Sequence, residues 1–155
     1  MLEQWRRERP DLDRSPMGVA GRIARAAALL QEGIDEELGR HGLTGPEFDV
    51  LATLRRTGEP YRLTPTQLYR SLMVNSGTVT RRLDGLERGG LVRRLSADTD
   101  RRSIQVELTP EGKRLVDEAV SAHTANEDRL LASLSKQDRK ALERLLRKLL
   151  LSLEG

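Results

Sequence analysis

Two stretches near the ends of the chain repeat apolar residues every three or four positions, which is the spacing of one face of an amphipathic helix. The first begins at Met17 and stops before Gly42, and the second follows Ser135. Their apolar positions are Val19, Ile23, Ala27, Leu30, Ile34 and Leu38 in the first stretch, and Leu142, Leu145, Leu146, Leu149, Leu150 and Leu153 in the second. The pattern predicts a long helix near each end. Residues 1–15 are charged apart from Trp5, and they allow either a short helix or an unstructured arm.

Three shorter helices are predicted between these two. Two of them begin with a capping box, in which a threonine caps free backbone N–H groups and a side chain three residues later reaches back. The boxes are Thr44 with Glu47 and Thr64 with Gln67. The third helix begins at Asn75 or Ser76, either of which is a favourable cap, and it ends at Gly89.

A hairpin and a further long helix complete the order of elements. Residues 91–95 predict a first strand, and Ile104, Val106 and Leu108 alternate with polar residues as in a half-buried second strand. Residues 96–102 are polar and predict a charged loop at the tip. Thr109 and Pro110 then begin a long helix. A close helix pair followed by a hairpin predicts a mainly α fold with a small β-hairpin wing, the winged helix-turn-helix.

The chain divides by this order into three parts. We expect residues 1–43 to form an N-terminal extension and a dimerisation helix, residues 44–109 the winged helix-turn-helix lobe, and residues 110–155 the C-terminal dimerisation helices. The helices at both ends have wide apolar faces and few partners within one chain. A second copy, joined symmetrically as an intertwined homodimer, would cover them. The alternative is that these helices pack only on the core of their own chain.

Composition excludes several classes of function. The chain has no cysteine and only two histidines, His41 and His123, so disulfides, zinc fingers and a cysteine nucleophile are excluded and a metal site is not expected. We find no glycine-rich phosphate loop and no nucleophile motif, so an enzyme is not expected, and no cofactor is predicted. No apolar run is long enough to span a bilayer, and the N-terminus lacks the apolar centre of a signal peptide, so we expect a cytoplasmic protein.

Positive charge is concentrated in one segment although the net charge of the chain is only +3. Between Arg70 and Arg102 the arginines outnumber the acidic residues and lysine is absent. The helix that follows Ser76 lies within this segment. A helical wheel of this segment places Val79, Leu83 and Leu86 on one face. The residues of the opposite face are small or hydrogen-bonding in the first turn, and arginine follows them. The residues predicted to contact DNA from this helix are Asn75, Ser76, Thr78, Thr80 and Arg81, because a major groove admits a helix and arginine recognises guanine edges.

The predicted hairpin tip is the second cationic element. Arg101 and Arg102 follow two aspartates, and an arginine at such a tip can enter a narrow minor groove. One of the two can pair with an aspartate while the other contacts DNA, and the sequence leaves open which one does so.

Three motifs in one order resemble the signature of the MarR family of transcriptional regulators. They are the segments at residues 83–92, 98–102 and 108–112, with the sequences LDGLERGGLV, DTDRR and LTPEG. The resemblance implies a homodimer whose N- and C-terminal helices intertwine and whose two lobes bind the half-sites of a pseudo-palindromic operator. It also implies repression by occlusion of a promoter, with release by a small ligand.

The segment from Trp5 to Met17 is similar to the added N-terminal segment of the urate-responsive MarR subfamily. That resemblance implies urate or a related purine as ligand and implicates a tryptophan, an aspartate and two arginines. In this chain the matching residues are Trp5, Asp49, Arg82 and Arg94. Urate is a planar anion, which suits arginine forks and an indole ring. A switch in which Asp49 holds an arginine until the ligand takes it over is the accompanying hypothesis.

Several alternatives stay open at this stage. Trp5 can pack as a simple hydrophobic plug, and a one-residue change of register would exchange Arg93 and Arg94 between the two faces of the sheet. A MarR-type regulator can respond instead to phenolic or aromatic carboxylates. An architectural DNA-binding protein without sequence preference would have the same basic segment.

Overall fold

The computed structural model describes residues 2–72, 76–97 and 100–155, and for Leu2, Ser76, Val79, Ala97 and residues 100–103 it describes the backbone alone. Its elements, in chain order, are α1 (Leu2–Glu8), α2 (Ser15–Arg40), α3 (Gly45–Arg56), β1 (Arg62–Leu63), α4 (Pro65–Leu72), α5 (Ser76–Arg88), β2 (Val92–Ala97), β3 (Asp100–Leu108), α6 (Pro110–Leu130) and α7 (Lys136–Leu153). The predicted order of helices, hairpin and helices is therefore confirmed, and residues 2–8 are helical.

The helices begin at the residues where the sequence predicted N-terminal caps. In α3 the hydroxyl of Thr44 accepts from the backbone N–H of Glu47, whose carboxylate accepts from the backbone N–H of Thr44. The same reciprocal bonds join Thr64 and Gln67 before α4, and a further box opens α7. Each box satisfies backbone donors that a helix start would otherwise leave without partners.

The sheet differs from the sequence prediction in two ways. A two-residue strand, β1, pairs with β3 through Arg62 and Glu107, so the sheet has three strands in the order β1-β3-β2. The hairpin strands also continue into the predicted loop, since residues 96–97 belong to β2 and residues 100–102 to β3. The prediction of a loop over residues 96–102 was wrong in this respect because an exposed, polar ribbon has no alternating apolar signal and is held by its backbone ladder.

The hydrophobic core lies in the lobe formed by α3 to α6 and the sheet. Its centre is α3, whose Val50, Leu51 and Leu54 have no exposed surface. Side chains from every neighbouring element pack on it, namely Leu38, Leu68, Leu83, Leu86, Val92, Val106, Leu108, Val116 and Ala119. The core therefore fixes α5 and the sheet to one another through a shared set of buried side chains.

The N-terminus of α6 is joined to the start of the wing. The hydroxyl of Thr109 lies 2.8 Å from the carbonyl oxygen of Gly90 and also accepts from the backbone N–H of Gly112. A Cβ at Gly112 would lie 2.0 Å from the carbonyl oxygen of Leu91, so only glycine fits there. The LTPEG segment is thus a packing junction between α6 and the turn that follows α5.

The apolar stripes of α2 and α7 remain largely uncovered in one chain. No residue of α7 is buried, and two grooves of about 660 and 290 Å³ run between the two helices. Ser15 and Arg22 border these grooves, and the apolar residues that line them are Pro16, Val19, Ala20, Ile23, Ala24, Ala26, Ala27, Leu30, Leu142, Leu146, Leu149 and Leu153. The other end of α2 packs on α6 and contributes Leu38 to the core. Among the described residues, no helix has both the length and the apolar character that crossing a bilayer requires.

Candidate nucleic-acid interface

The recognition helix α5 is anchored by one face and exposes the other. Leu83 and Leu86 are 1% and 2% exposed and belong to the core. Arg81 is exposed and Arg82 is half-buried, as expected for neighbours that lie about 100° apart around the helix. Neither guanidinium has a hydrogen-bond or ion-pair partner among the described residues. Arg81 is therefore available to a ligand outside the chain, and Arg82 lies at the flank.

The other predicted DNA-contacting residues of α5 are described to different extents. Thr80 is exposed and Thr78 is half-buried, and both lie in the first half of the helix. Ser76 is the first residue of α5, but its side chain lies outside the description, and Asn75 lies outside the described residues altogether. Contacts of these residues with DNA stay predictions.

The same holds for the two arginines of the wing. Arg101 and Arg102 belong to β3 by their backbone, and their side chains lie outside the description. Which of them enters a minor groove stays open.

The second half of the exposed face of α5 is engaged with the wing, which the helical wheel did not predict. Arg94 on β2 donates from Nη2 to Oδ1 of Asp84 and from Nη1 to Oε2 of Glu87, at 2.6 Å each. Its backbone N–H donates to Oε1 of Glu87 at 3.0 Å. We call these three residues the Arg94 clamp. The hydrogen bond to Asp84 is the main cause that raises the pKa of Arg94 above its usual value.

A role for Asp84 and Glu87, whose carboxylates lie one turn apart on α5, was not predicted from the sequence. Their spacing of three residues was visible, but their partner on the strand depends on the register. That register is now defined, since Arg94 faces Val106 and Arg93 faces Glu107 across the ladder.

Arg93 lies on the outer face of the sheet. It donates to Glu107, which also accepts from Nε of Arg62 at 3.0 Å. Glu107 is only 8% exposed, and the hydrogen bond from Arg93, followed by that from Arg62, lowers the pKa of its carboxyl group. These three residues link all three strands. Arg93 therefore binds within the sheet, whereas Arg94 binds the recognition helix.

Asp49, one of the four predicted ligand residues, borders a cavity of about 370 Å³. The cavity lies between α2, α3 and α6, and it is lined by Gln31, Ile34, Leu38, Gly45, Pro46, Phe48, Asp49 and His123. The rings of Phe48 and His123 are 5.0 Å apart between centroids. Asp49 has no arginine partner among the described residues, so the expected ligand-free pair is not formed, and Arg94 is held by α5 instead.

The remaining ligand residues do not line this cavity. Trp5 lies on α1 and is 41% exposed, and Arg82 lies on the flank of α5. A single chain therefore does not gather Trp5, Asp49, Arg82 and Arg94 into one pocket. No cluster of three or more potential metal ligands was found among the residues that the structure describes.

Comparison with known proteins identifies the family. A family model described as MarR family matches residues 41–103. The HTH-type transcriptional regulator PecS of Dickeya dadantii is 42% identical over 146 residues, which cover 94% of this chain and 88% of that protein.

Solved structures agree with the fold. A point mutant of MarR from E. coli, complexed with operator DNA, superposes with a TM-score of 0.76 at 27% identity and covers 88% of this chain and 96% of that chain. Sco3205 from Streptomyces coelicolor, in complex with DNA, has a TM-score of 0.81 at 23% identity over 93% and 91% of the two chains, and it supports the fold alone. The expectations of a winged helix-turn-helix fold and of a regulator in place of an enzyme are confirmed. The chain therefore belongs to the MarR family of DNA-binding transcriptional regulators.

Proposed function

We propose that the protein is a repressor that binds a pseudo-palindromic operator as a homodimer and is released by a small aromatic ligand. The observation that carries this proposal is the geometry of α5. Buried leucines fix the helix on the lobe, and Arg81 is exposed on the same helix. The operator complex of E. coli MarR, a relative of this fold, supports the same use of the lobe.

The homodimer is proposed because of the uncovered stripes on α2 and α7. Leu142, Leu149 and Leu153 are 41%, 40% and 73% exposed in one chain, although each faces an apolar groove. Covering a leucine fully stabilises an assembly by about 1.5–3 kcal/mol per side chain. A second copy related by a two-fold axis would cover the same grooves on both chains. In this arrangement residues 1–43 and 110–155 form the dimerisation part and residues 44–109 the DNA-binding lobe.

Contacts with DNA are assigned by element. Asn75, Ser76, Thr78, Thr80 and Arg81 would contact one major groove, and Arg101 or Arg102 the neighbouring minor groove. Two lobes would then bind half-sites whose centres are about 34–36 Å apart. Occupation of such a site within a promoter excludes RNA polymerase, which is the basis for proposing repression.

The proposed ligand is urate or a related purine, recognised by Trp5, Asp49, Arg82 and Arg94. Two features support this assignment, and they lie at different places in one chain, because Arg82 does not line the cavity that Asp49 borders. Asp49 borders a cavity between the dimerisation helices and the DNA-binding lobe, and Arg82 lies half-buried without a partner among the described residues. Binding must favour one lobe position over another if the ligand is to release DNA. A phenolic or aromatic carboxylate is the alternative ligand class.

One experiment tests the DNA-binding part of the proposal. A duplex is selected from a random-sequence pool with the purified protein, and its affinity is compared with that of a scrambled duplex over a range of salt concentrations. We expect a selected sequence with two-fold symmetry and a preference of about 10³-fold or more at physiological salt. Equal affinity for both duplexes, with the salt dependence of pure phosphate binding, would indicate an architectural protein instead.

A second experiment tests the ligand. The chain has a single tryptophan, Trp5, so its fluorescence reports on α1 alone. We expect urate to quench this fluorescence and to dissociate the selected duplex over the same concentration range. Dissociation by salicylate but not by urate or xanthine would favour the carboxylate class.

A further inference from the structure

We propose that Arg94 is a positioning residue that fixes the first wing strand to the recognition helix, so that helix and wing approach DNA at a defined spacing. The inference rests on the proposed function and assigns a role that the ligand hypothesis for Arg94 did not contain. It is carried by the Arg94 clamp, which joins β2 to the last turns of α5.

The clamp uses the two terminal nitrogens of the Arg94 side chain and the backbone N–H of the same residue. The two terminal nitrogens of Arg94 bind different carboxylates, Asp84 and Glu87, at 2.6 Å. Glu87 uses its other oxygen to accept from the backbone N–H of Arg94 at 3.0 Å. Three bonds to two residues one turn apart define both the distance and the angle between strand and helix, because a guanidinium is planar and its donors are fixed.

Because the clamp residues are partly exposed, we infer that the clamp mainly orients β2 relative to α5 and adds little to the stability of the fold. The side chain of Arg94 is 29% exposed, while those of Asp84 and Glu87 are 51% and 36% exposed. Ion pairs this close to solvent contribute little to the free energy of unfolding. The lobe has its own buried core, which includes Leu83 and Leu86, so we expect it to fold without the clamp.

The clamp lies at the edge of the core, since Val106, which pairs with Arg94 across the ladder, is buried and Ile104, two residues nearer the tip, is exposed. Leu83 and Leu86 fix the buried side of α5, and the turn after α5 is held by the bond from the backbone N–H of Leu91 to the carbonyl oxygen of Leu86. Beyond that turn β2 runs towards the predicted minor-groove arginines, and Arg94 is the point at which this strand is tied back to the exposed side of α5. Loss of the clamp would let the outer part of β2 and β3 change its angle to α5 while both elements stay folded.

Arg93 provides a matched control. It is the neighbouring residue on the same strand, has the same charge, and faces the opposite side of the sheet, where it pairs with Glu107. Arg94→Gln and Arg93→Gln each remove one positive charge from the wing, so non-specific attraction to phosphate falls equally in both.

The experiment measures affinity for the selected duplex and for a scrambled duplex, together with hydroxyl-radical protection of the minor groove and methylation protection of the major groove. We expect Arg94→Gln to lower the preference for the selected duplex by about tenfold relative to Arg93→Gln, comparable to one lost base-pair contact. Minor-groove protection at the flanks should weaken while major-groove protection persists. Equal behaviour of the two variants would overturn the proposal.

A second variant separates geometry from charge and does not depend on the stability of Arg94→Gln. The double variant Asp84→Ala with Glu87→Ala removes the acceptors of the clamp together with two negative charges near the DNA, so electrostatics alone predict tighter binding to every duplex. The clamp predicts tighter binding to scrambled DNA but a smaller preference for the selected duplex, with weaker minor-groove protection. An unchanged or larger preference would overturn the proposal.

The outcomes also distinguish the clamp from the function on which it rests. If the unmodified protein shows no preference for any selected duplex, the proposed function fails and the clamp proposal falls with it. If the unmodified protein is specific and both sets of variants keep that specificity, only the clamp is wrong.

Discussion

The side-chain amide of Asn126 on α6 donates to the backbone carbonyl oxygen of Gly33 on α2 at 2.9 Å. Asn126 is 5% exposed, and its own oxygen accepts from Arg129 at 2.6 Å. A Cβ at Gly33 would lie 2.9 Å from a side-chain carbon of Leu130, so the two helices approach closely at this point. One buried polar contact thus sets the position of the predicted dimerisation helix α2 against the helix that continues from the wing.

Replacement of Asn126 by leucine should destabilise the chain by about 1–3 kcal/mol, because the substitution removes the buried side-chain donor to the carbonyl oxygen of Gly33 and leaves Arg129 without its acceptor. Chemical denaturation followed by circular dichroism measures the change. Ser121→Ala, on an exposed position of the same helix, is the control and should stay within about 0.5 kcal/mol. An Asn126→Leu variant as stable as that control would show that the contact has no net effect.

Replacement of Gly112 by alanine should destabilise the chain by about 1–3 kcal/mol or more, since the new methyl group would overlap the carbonyl of Leu91 and force α6 away from the turn after α5. Thermal unfolding measures the loss. Gly21→Ala is the matched control, because nothing lies within 4 Å of a Cβ there and alanine is the better helix former by about 0.5–1 kcal/mol. The prediction is wrong if both substitutions change the melting temperature in the same direction.

Replacement of Leu149 by glutamate should convert the dimer into monomer, since Leu149 lines the groove between α2 and α7 and a buried charge there would be unpaired. Light scattering coupled to gel filtration measures the mass. Leu151→Glu introduces the same charge at a leucine that is 63% exposed and lines neither groove. A dimer that survives Leu149→Glu, or separates equally in both variants, would contradict the proposed interface.

Replacement of Arg81 by alanine should weaken binding to the selected duplex by about 1–3 kcal/mol and relax the preference at one base pair of each half-site. Fluorescence anisotropy with single-base variants of the duplex measures both effects. Arg114→Ala removes the same charge from an arginine that is already paired with Glu111 and Glu118 on α6. The assignment of Arg81 fails if the two variants lose affinity equally for selected and scrambled DNA.

Replacement of Trp5 by phenylalanine should leave the affinity for the selected duplex within about twofold and raise the urate concentration needed for release by about fivefold or more, since the smaller ring covers less of a planar ligand. The side chain is 41% exposed, so the stability of the chain should not change. Titration of urate into the protein–DNA complex measures the response. An unchanged response would exclude Trp5 from the ligand site and favour its role as a hydrophobic plug.

Local signals predicted much of the fold. The capping boxes at Thr44, Thr64 and Ser135 depend on hydrogen bonds between residues three positions apart, so the chain specifies them without tertiary contacts. The burial of Leu83 and Leu86 followed from the helical period in the same way.

Other features depend on non-local pairing. The strand β1 is two residues long and has no periodic signal, and it exists because residues 62–63 meet residues 106–107 of β3. The extension of the wing strands beyond residue 95 similarly comes from a backbone ladder that polar side chains do not reveal.

The sequence by itself determined the order of elements, the amphipathic faces and the arginines that α5 and the wing contribute, because each of these depends on residues a few positions apart. Only the tertiary structure decided which arginine of the wing strand faces the recognition helix, and that Asp49 borders a cavity without an arginine partner among the described residues. The physical reason is register. Side chains of a strand alternate between two faces, so a shift of one residue would exchange Arg93 and Arg94, and packing of the sheet on α5 selects one of the two arrangements.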